Sequence, residues 1–276
     1  MKFICAAELC SLAHFIKMEG KYHSTDYFDS TFDVRGYSED CWGPEVIKAD
    51  TPNKDFIDEV HLILEKLNLP DGLKQLEFGC GPSVHIALSS SRVASHIVMT
   101  EYASQNRQAV VEWLKNEDSA YSWKHMCEYI GQKEGRSAEE IETRTRRAIK
   151  EVLACDTEKE AIFGVAQLPQ FDLVTSCLCL EAACKDLPAY NKAIVDLTAF
   201  LKPGGYIILS GVLNQSKYTV RNKWFYSLPI NKTDVNNALE AAGYENIVWY
   251  DHPLVGNYES YTDANGYFNL VAQKKK

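Results

Sequence analysis

The sequence predicts an α/β fold, an open and largely parallel sheet with helices on both faces. Three observations point to it. Strand-like and helix-like runs alternate over the first two thirds of the chain, as successive βα units do. Phe171 to Leu180 (FDLVTSCLCL) is almost continuously apolar, as expected of a central strand covered on both faces. Lys74 to Tyr102 reads as strand, glycine turn, helix and second strand ending on an acid. There Gly79 and Gly81 close the first strand and Glu101 closes the second, with the spacing of about 20 residues that separates a nucleotide-binding turn from a ribose-gripping acid.

Residues 1 to 20 have the pattern of a short amphipathic helix. Residues 21 to 43 are dense in aromatic and acidic residues without clear periodicity, which suits a lid over a ligand and equally an irregular surface arm. Asp55 to Leu67 carries apolar residues at 56, 60, 63, 64 and 67, a helical stripe, with His61 in a structural role. Ser83 to Ser91 is a short helix, His96 to Thr100 a strand, and Ala103 to Lys115 a helix. Residues 118 to 133 read either way. Ser137 and Glu140 have capping-box spacing and open a helix that can run to about Leu153. Leu187 to Leu201 is helical, and Pro203-Gly204-Gly205 stops it before the buried strand Tyr206 to Leu213. Thr233 is the expected cap of a helix ending at Gly243. Asn246 to His252 and Tyr267 to Gln273 read as two closing strands, free to pair antiparallel at one edge because no helix separates them. With no repeat, low-complexity tract or linker, residues 1–276 read as one domain.

The chain has 276 residues, 46% hydrophobic and 24% charged, with a formal net charge of −9. That composition is ordinary for a globular protein. The acidic balance argues against a nucleic-acid or anionic-membrane surface, and Arg144, Arg146, Arg147 and Lys150 read as a solvated helix face. Nine cysteines include no CxxC pair, so neither a zinc knuckle nor a thioredoxin-type motif is supported. Reduced thiols and a cytoplasmic location fit them. The opening MKFICAAELCSLAHFIK lacks a signal-peptide cleavage site, and no apolar run approaches the ~20 residues of a membrane span.

Two nucleotide ligands compete for the glycine turn. A dinucleotide site wants GxGxxG, whose third glycine lets helix and strand pack closely. Here the run is Gly79-Cys80-Gly81-Pro82-Ser83-Val84; valine takes that glycine's place, and Pro82 removes a backbone donor from the anion-binding turn. An S-adenosylmethionine site needs acids for ribose and adenine but no pyrophosphate nest. Glu101 and Asp156 supply them, so a methyltransferase is expected rather than a dehydrogenase.

FGCGP, MTEYASQN, CLCLEAACKDLPAY, LKPGGY and WFYSLP, in this order, resemble the small-molecule N-methyltransferases that include the nicotinamide, phenylethanolamine and indolethylamine enzymes. The resemblance runs from about Tyr27 to Lys274. It implies a Rossmann-like class I methyltransferase fold, a mostly parallel seven-stranded sheet whose last strand is antiparallel, with residues 1 to 43 as N-terminal extension and lid. It implies S-adenosyl-L-methionine as cofactor, S-adenosyl-L-homocysteine as product and a small amine or pyridine as partner; a monomer is expected, and the acidic balance gives no nucleic-acid or membrane partner. By the resemblance, Tyr37 matches the lid tyrosine over the cofactor, Trp42 falls on a second aromatic position, and Gly79 and Gly81 lie beneath the methionine part. His85 replaces a family tyrosine. Glu101 matches the acid on the ribose hydroxyls, with Tyr102 against adenine and Asn106 nearby. Asp156 matches the acid at the adenine amino group, with Thr157 beside it. Cys177 takes a threonine's place and keeps only a backbone contact.

Glu181 is the expected catalytic carboxylate, matching the acid that the phenylethanolamine enzyme places by its amine. An acid there can take an amine proton or stabilise a cationic product. Tyr37, Glu181, Gln215, Tyr218 and Ser227 match acceptor-pocket positions. Gly211 stands where the nicotinamide enzyme has an aspartate. The pocket mixes family features; nicotinamide is the leading acceptor, an arylethylamine the alternative, and cofactor binding without catalysis a further one.

Overall fold

The computed structural model describes residues 25–48, 51–164 and 166–276; the helix expected over residues 1 to 20 lies outside them. The aromatic stretch before Gly43 is helical: α1 (Thr25–Thr31) and α2 (Val34–Trp42). Asp33 caps α2, its carboxylate accepting the Gly36 amide at 2.8 Å. In α3 (Pro52–Leu67), Thr51 is the N-cap, Pro52 opens the first turn, and Asn68 closes the helix in the left-handed region. Proline suits that first turn because its missing N–H has no helical acceptor anyway.

The main unit follows as β1 (Leu73–Phe78), α4 (His85–Ser90), β2 (Ala94–Glu101), α5 (Ser104–Leu114), α6 (Lys124–Glu134), α7 (Ala138–Ala148) and β3 (Ile149–Ala154). Then come β4 (Phe171–Cys177), α8 (Leu180–Ala183), α9 (Leu187–Phe200), β5 (Leu201–Leu213), the hairpin β6 (Lys217–Val220) and β7 (Lys223–Tyr226), α10 (Lys232–Ala241), β8 (Tyr244–Pro253) and β9 (Gly266–Lys274). The main sheet runs β3-β2-β1-β4-β5-β9-β8. Pairings from β3 to β5 are parallel, and β9 is antiparallel to both β5 and β8. This is the mostly parallel seven-stranded sheet with an antiparallel strand that the resemblance implies.

Period-two alternation splits the core into two layers. Ile97, Met99, Leu173 and Val271 pack with Val60, Leu64, Met126 and Ile141 on one face. Leu76, Val98, Val174 and Leu270 pack with Ile194, Leu197 and Leu239 on the other. The strand order switches sides between β1 and β4, since β2 and β3 lie to one side of β1 and β4 and β5 to the other, and in such sheets ligands bind in the crevice beyond the strand ends at that point.

Four details differ from the sequence reading. The capping box of Ser137 and Glu140 is present, but its helix stops at Ala148 and β3 begins at once. Residues 149–153 (IKEVL) pair with β2 at the sheet edge, where an exposed Lys150 and Glu151 are at home. The ambiguous 118–133 stretch contains α6, ended by Gly135 in the left-handed region. The Pro203-Gly204-Gly205 segment lies within β5: Phe171 pairs with Leu201 and Leu173 with Tyr206, so the extra residues bulge out of register. Asn231, not Thr233, caps α10; its side chain accepts the Thr233 and Asp234 amides, and Asp234 reciprocates on the Asn231 amide at 3.0 Å.

Candidate active site

A cleft of about 560 Å³ opens at the β1/β4 switch point. Its floor is the turn after β1, where Gly79 and Gly81 adopt φ of 68° and 59°. At Gly79 a side chain would also strike Cys179, whose sulfur lies 1.9 Å from the ideal Cβ position. Glycine is required there on both counts.

Glu101, at the end of β2, faces this turn. One carboxylate oxygen accepts the Gly81 amide at 3.0 Å; the other accepts the Ala103 amide at 2.9 Å and the Asn106 side chain at 3.1 Å. Burial pushes its carboxyl up, and these hydrogen bonds pull the other way. The carboxylate is thus fixed in place, and a lone pair remains for a further donor on the oxygen that accepts the Gly81 amide. Asp156 follows β3, accepting the Glu158 amide at 3.0 Å, while Thr157 donates to the Ala183 carbonyl at 3.1 Å. Tyr102, Asn106, Asp156, Thr157 and the end of β4 at Cys177 all line the cleft.

The other end of the cleft is aromatic and acidic. Glu181 sits in the short α8 just beyond β4, buried, with Oε1 accepting the Val212 amide at 3.1 Å. Burial pushes its carboxyl up to about 7, against hydrogen bonds from its own amide and that of Val212. Among the described residues it forms no ion pair. Tyr37 and Tyr218 line the same region, burial raising both phenols, and Gln215 donates to Thr262 at 2.6 Å. A buried carboxyl near neutrality within aromatic walls can accept a proton or balance a cation.

Two expected residues stand behind the wall. Trp42 is fully buried and stacks on His85, which does line the cleft. His85 hydrogen-bonds Ser83 at 2.9 Å, and burial lowers its pKa to about 3, leaving the ring neutral. Ser227 is buried beside the cleft, its amide bonded to the Ser216 carbonyl and its hydroxyl without a partner among the described residues. Sequence reasoning missed Phe28, Phe32, Phe56, Tyr258 and Tyr267 in the wall. Phe56 belongs to the apolar stripe of α3, and nothing in that stripe distinguishes a cleft residue from a core one.

It also missed the tether of the N-terminal helices. Arg221, at the tip of the β6–β7 hairpin, pairs with Glu39 at 2.6 Å, Asp40 at 3.1 Å and Asp33 at 3.9 Å. Gly36 leaves room for it: an ideal Cβ there would stand 2.4 Å from Arg221 Nε. No helix among the described residues is long and apolar enough to cross a membrane.

Comparison with known proteins gives this geometry a family. The family model described as NNMT/PNMT/TEMT matches residues 20–275. The chain is 34% identical to nicotinamide N-methyltransferase of Homo sapiens, covering 93% of this chain and 98% of that one. It is 33% identical to phenylethanolamine N-methyltransferase of Rattus norvegicus over 62% of this chain and 61% of that one. In fold it is similar to an S-adenosylmethionine-dependent methyltransferase from Clostridium acetobutylicum, with TM-score 0.52 and 12% identity over 88% of this chain and 98% of the other. The glycine turn, the anchored Glu101 and the antiparallel β9 therefore have one common explanation: the chain belongs to the NNMT/PNMT/TEMT family of S-adenosylmethionine-dependent N-methyltransferases.

Proposed function

We propose that this enzyme methylates the nitrogen of a small amine or pyridine, with nicotinamide the leading acceptor. The observation that carries the reading is Glu181: a buried carboxylate with no cationic partner among the described residues, in an aromatic wall of the cleft that also contains Glu101. The high similarity to a nicotinamide enzyme over nearly the whole chain supports nicotinamide. The glutamate at 181 and the glycine at 211 favour an arylethylamine as the second reading.

In this reading Glu101 holds the ribose hydroxyls, Tyr102 and Asp156 the adenine, with Asn106 and Thr157 beside them. Gly79, Gly81 and the Cys177 backbone flank the methionine part. Tyr37 closes over the site, while Trp42 acts through His85. The acceptor lies among Tyr37, Glu181, Gln215 and Tyr218, with Ser227 supporting that wall from behind. Residues 1–276 form one methyltransferase domain with residues 1 to 43 as extension and lid, acting as a cytoplasmic monomer on free small molecules rather than nucleic acid or membrane.

S-adenosylmethionine supplies an electrophilic methyl group on a sulfonium sulfur. The protein's part is to hold the acceptor nitrogen in line with it and to exclude water, and positioning of this kind is worth roughly 7–11 kcal/mol. Glu181 accepts the proton of an amine acceptor, directly or through water. For a pyridine, which loses no proton, the carboxylate balances the cation formed.

Calorimetry with S-adenosylhomocysteine, followed by labelled S-adenosylmethionine with a panel of pyridines and arylethylamines, tests the proposal. Binding together with methylation of at least one acceptor is expected. Binding without methylation of any points to a cofactor-binding protein, and no binding by the folded protein overturns the reading.

A further inference from the structure

Gly211 lies in β5 opposite Phe268 of β9, and its backbone is not in the left-handed region. Backbone conformation therefore does not call for glycine, which weakens a strand interior and often marks the close approach of another group. Two groups approach here. An ideal Cβ at Gly211 would stand 3.0 Å from Glu181 Oε1, and 2.9 Å and 3.0 Å from the Phe268 ring. The same Oε1 accepts the amide of the next residue, Val212. The Glu181 carboxylate thus lies across the bare backbone of residues 211 and 212.

We propose that Gly211 is a positioning residue for methyl transfer: its missing side chain lets Glu181 dock on the Val212 amide and so fixes where the acceptor meets a carboxylate. A methyl group at this position meets Oε1 closer than nine in ten real Cβ contacts. The carboxylate must then shift by a few tenths of an ångström, which stretches the Val212 bond and moves the group from its place in the wall. Glu101, the other buried acid of the cleft, is held by one donor at the glycine turn and two at the start of α5 and does not replace it. Glutamate at 181 and glycine at 211 therefore work as one unit. The inference rests on the reading that Glu181 faces the acceptor, and it adds the residue that decides where that carboxylate sits.

The test uses Gly211→Ala, Glu181→Asp, their combination, and Gly211→Ala combined with Phe268→Leu in the full chain. Gly211→Ala is expected to lower kcat/KM for the best panel acceptor about 10- to 100-fold, the scale of a small misplacement of reacting groups. Affinity for S-adenosylhomocysteine is expected to stay within about twofold, since the cofactor turn is a separate site. With glutamate carboxyls labelled for NMR and Glu181→Gln as the assignment control, the Glu181 midpoint is expected to move upward in Gly211→Ala, because the bond from Val212 favours the charged form. Glu181→Asp, whose shorter arm clears the added methyl group, is expected to cost less in the Gly211→Ala background than in the wild type. Additive losses overturn the proposal, as does an unmoved midpoint. Restoration of activity by Phe268→Leu assigns the effect to core packing instead, and also overturns it. If the wild type methylates no acceptor in the panel, the acceptor reading fails while the NMR arm still decides the role of Gly211.

Discussion

The indole of Trp42 lies flat on the imidazole of His85, with ring centroids 3.7 Å apart and planes 18° from parallel. The pair joins the N-terminal helices to the helix that follows the glycine turn. Replacing Trp42 by alanine is expected to destabilise the protein by about 3–5 kcal/mol, the usual cost of emptying a buried aromatic site. Chemical denaturation measures this; a loss under about 1 kcal/mol is what a surface side chain gives, and contradicts the packing described.

His85 also makes stability depend on pH. Its folded pKa of about 3 lies below the unfolded value of 6.5, so the unfolded chain takes up the proton first. Stability is complete above pH 6.5 and falls as the pH drops toward 3, at up to about 1.4 kcal/mol per pH unit from this group. Other groups titrate in the same range, so the measurement is a difference: His85→Phe should lose stability less steeply than the wild type between pH 6 and 4 by about that amount per unit. Parallel curves refute it.

Glu181 titrates on the other side of neutrality. As an acid whose folded pKa is raised from 4.5 to about 7, it favours the folded state at low pH and loses that advantage as the pH rises through 7. Glu181→Gln should therefore be more heat-stable than wild type at pH 8. Turnover has the opposite preference, since only the carboxylate accepts a proton. For an amine acceptor kcat should fall about 100-fold in Glu181→Gln, a typical general-base contribution, with cofactor affinity unchanged. The wild type's acid limb near pH 7 should disappear. Retention of that limb assigns it to another group.

Glu101→Ala removes an acceptor that also organises the Gly81 and Ala103 amides. Affinity for S-adenosylhomocysteine should drop at least about 10-fold, the worth of one charged hydrogen bond. Calorimetry giving equal affinities refutes the ribose role.

Arg221 ties the hairpin to α2 through three half-exposed acids. Exposed pairs of this kind are individually worth about 0–1 kcal/mol, so Arg221→Ala should leave overall stability almost unchanged. It should raise KM for cofactor and acceptor together, and added salt should mimic it in the wild type. A KM that ignores both substitution and salt removes Arg221 from any part in closing the cleft.

The sequence by itself determined the βα alternation around β1, β2, β4 and β5, the two closing strands and the location of the glycine turn, because these follow from local rules. Hydrophobic period, capping residues, and glycine spacing act over a few positions, and Gly79, Gly81, Glu101 and Asp156 fall within one run of βα units. Tertiary structure decided the rest. Whether IKEVL continues a helix or joins an edge depends on β2 lying beside it. Phe56 and Tyr267 are apolar-pattern residues on separate elements, and only the packing of α3 on β9 brings both to one cleft. Trp42 and Ser227, aligned by motif, fall behind the wall because His85 and the neighbouring strands fill the space in front. The contact between Gly211 and Glu181 joins residues 30 positions apart in sequence. It exists because β5 lies beside β4, which ends just before α8; side-chain volume at such a crossing is set by packing, which no local pattern encodes.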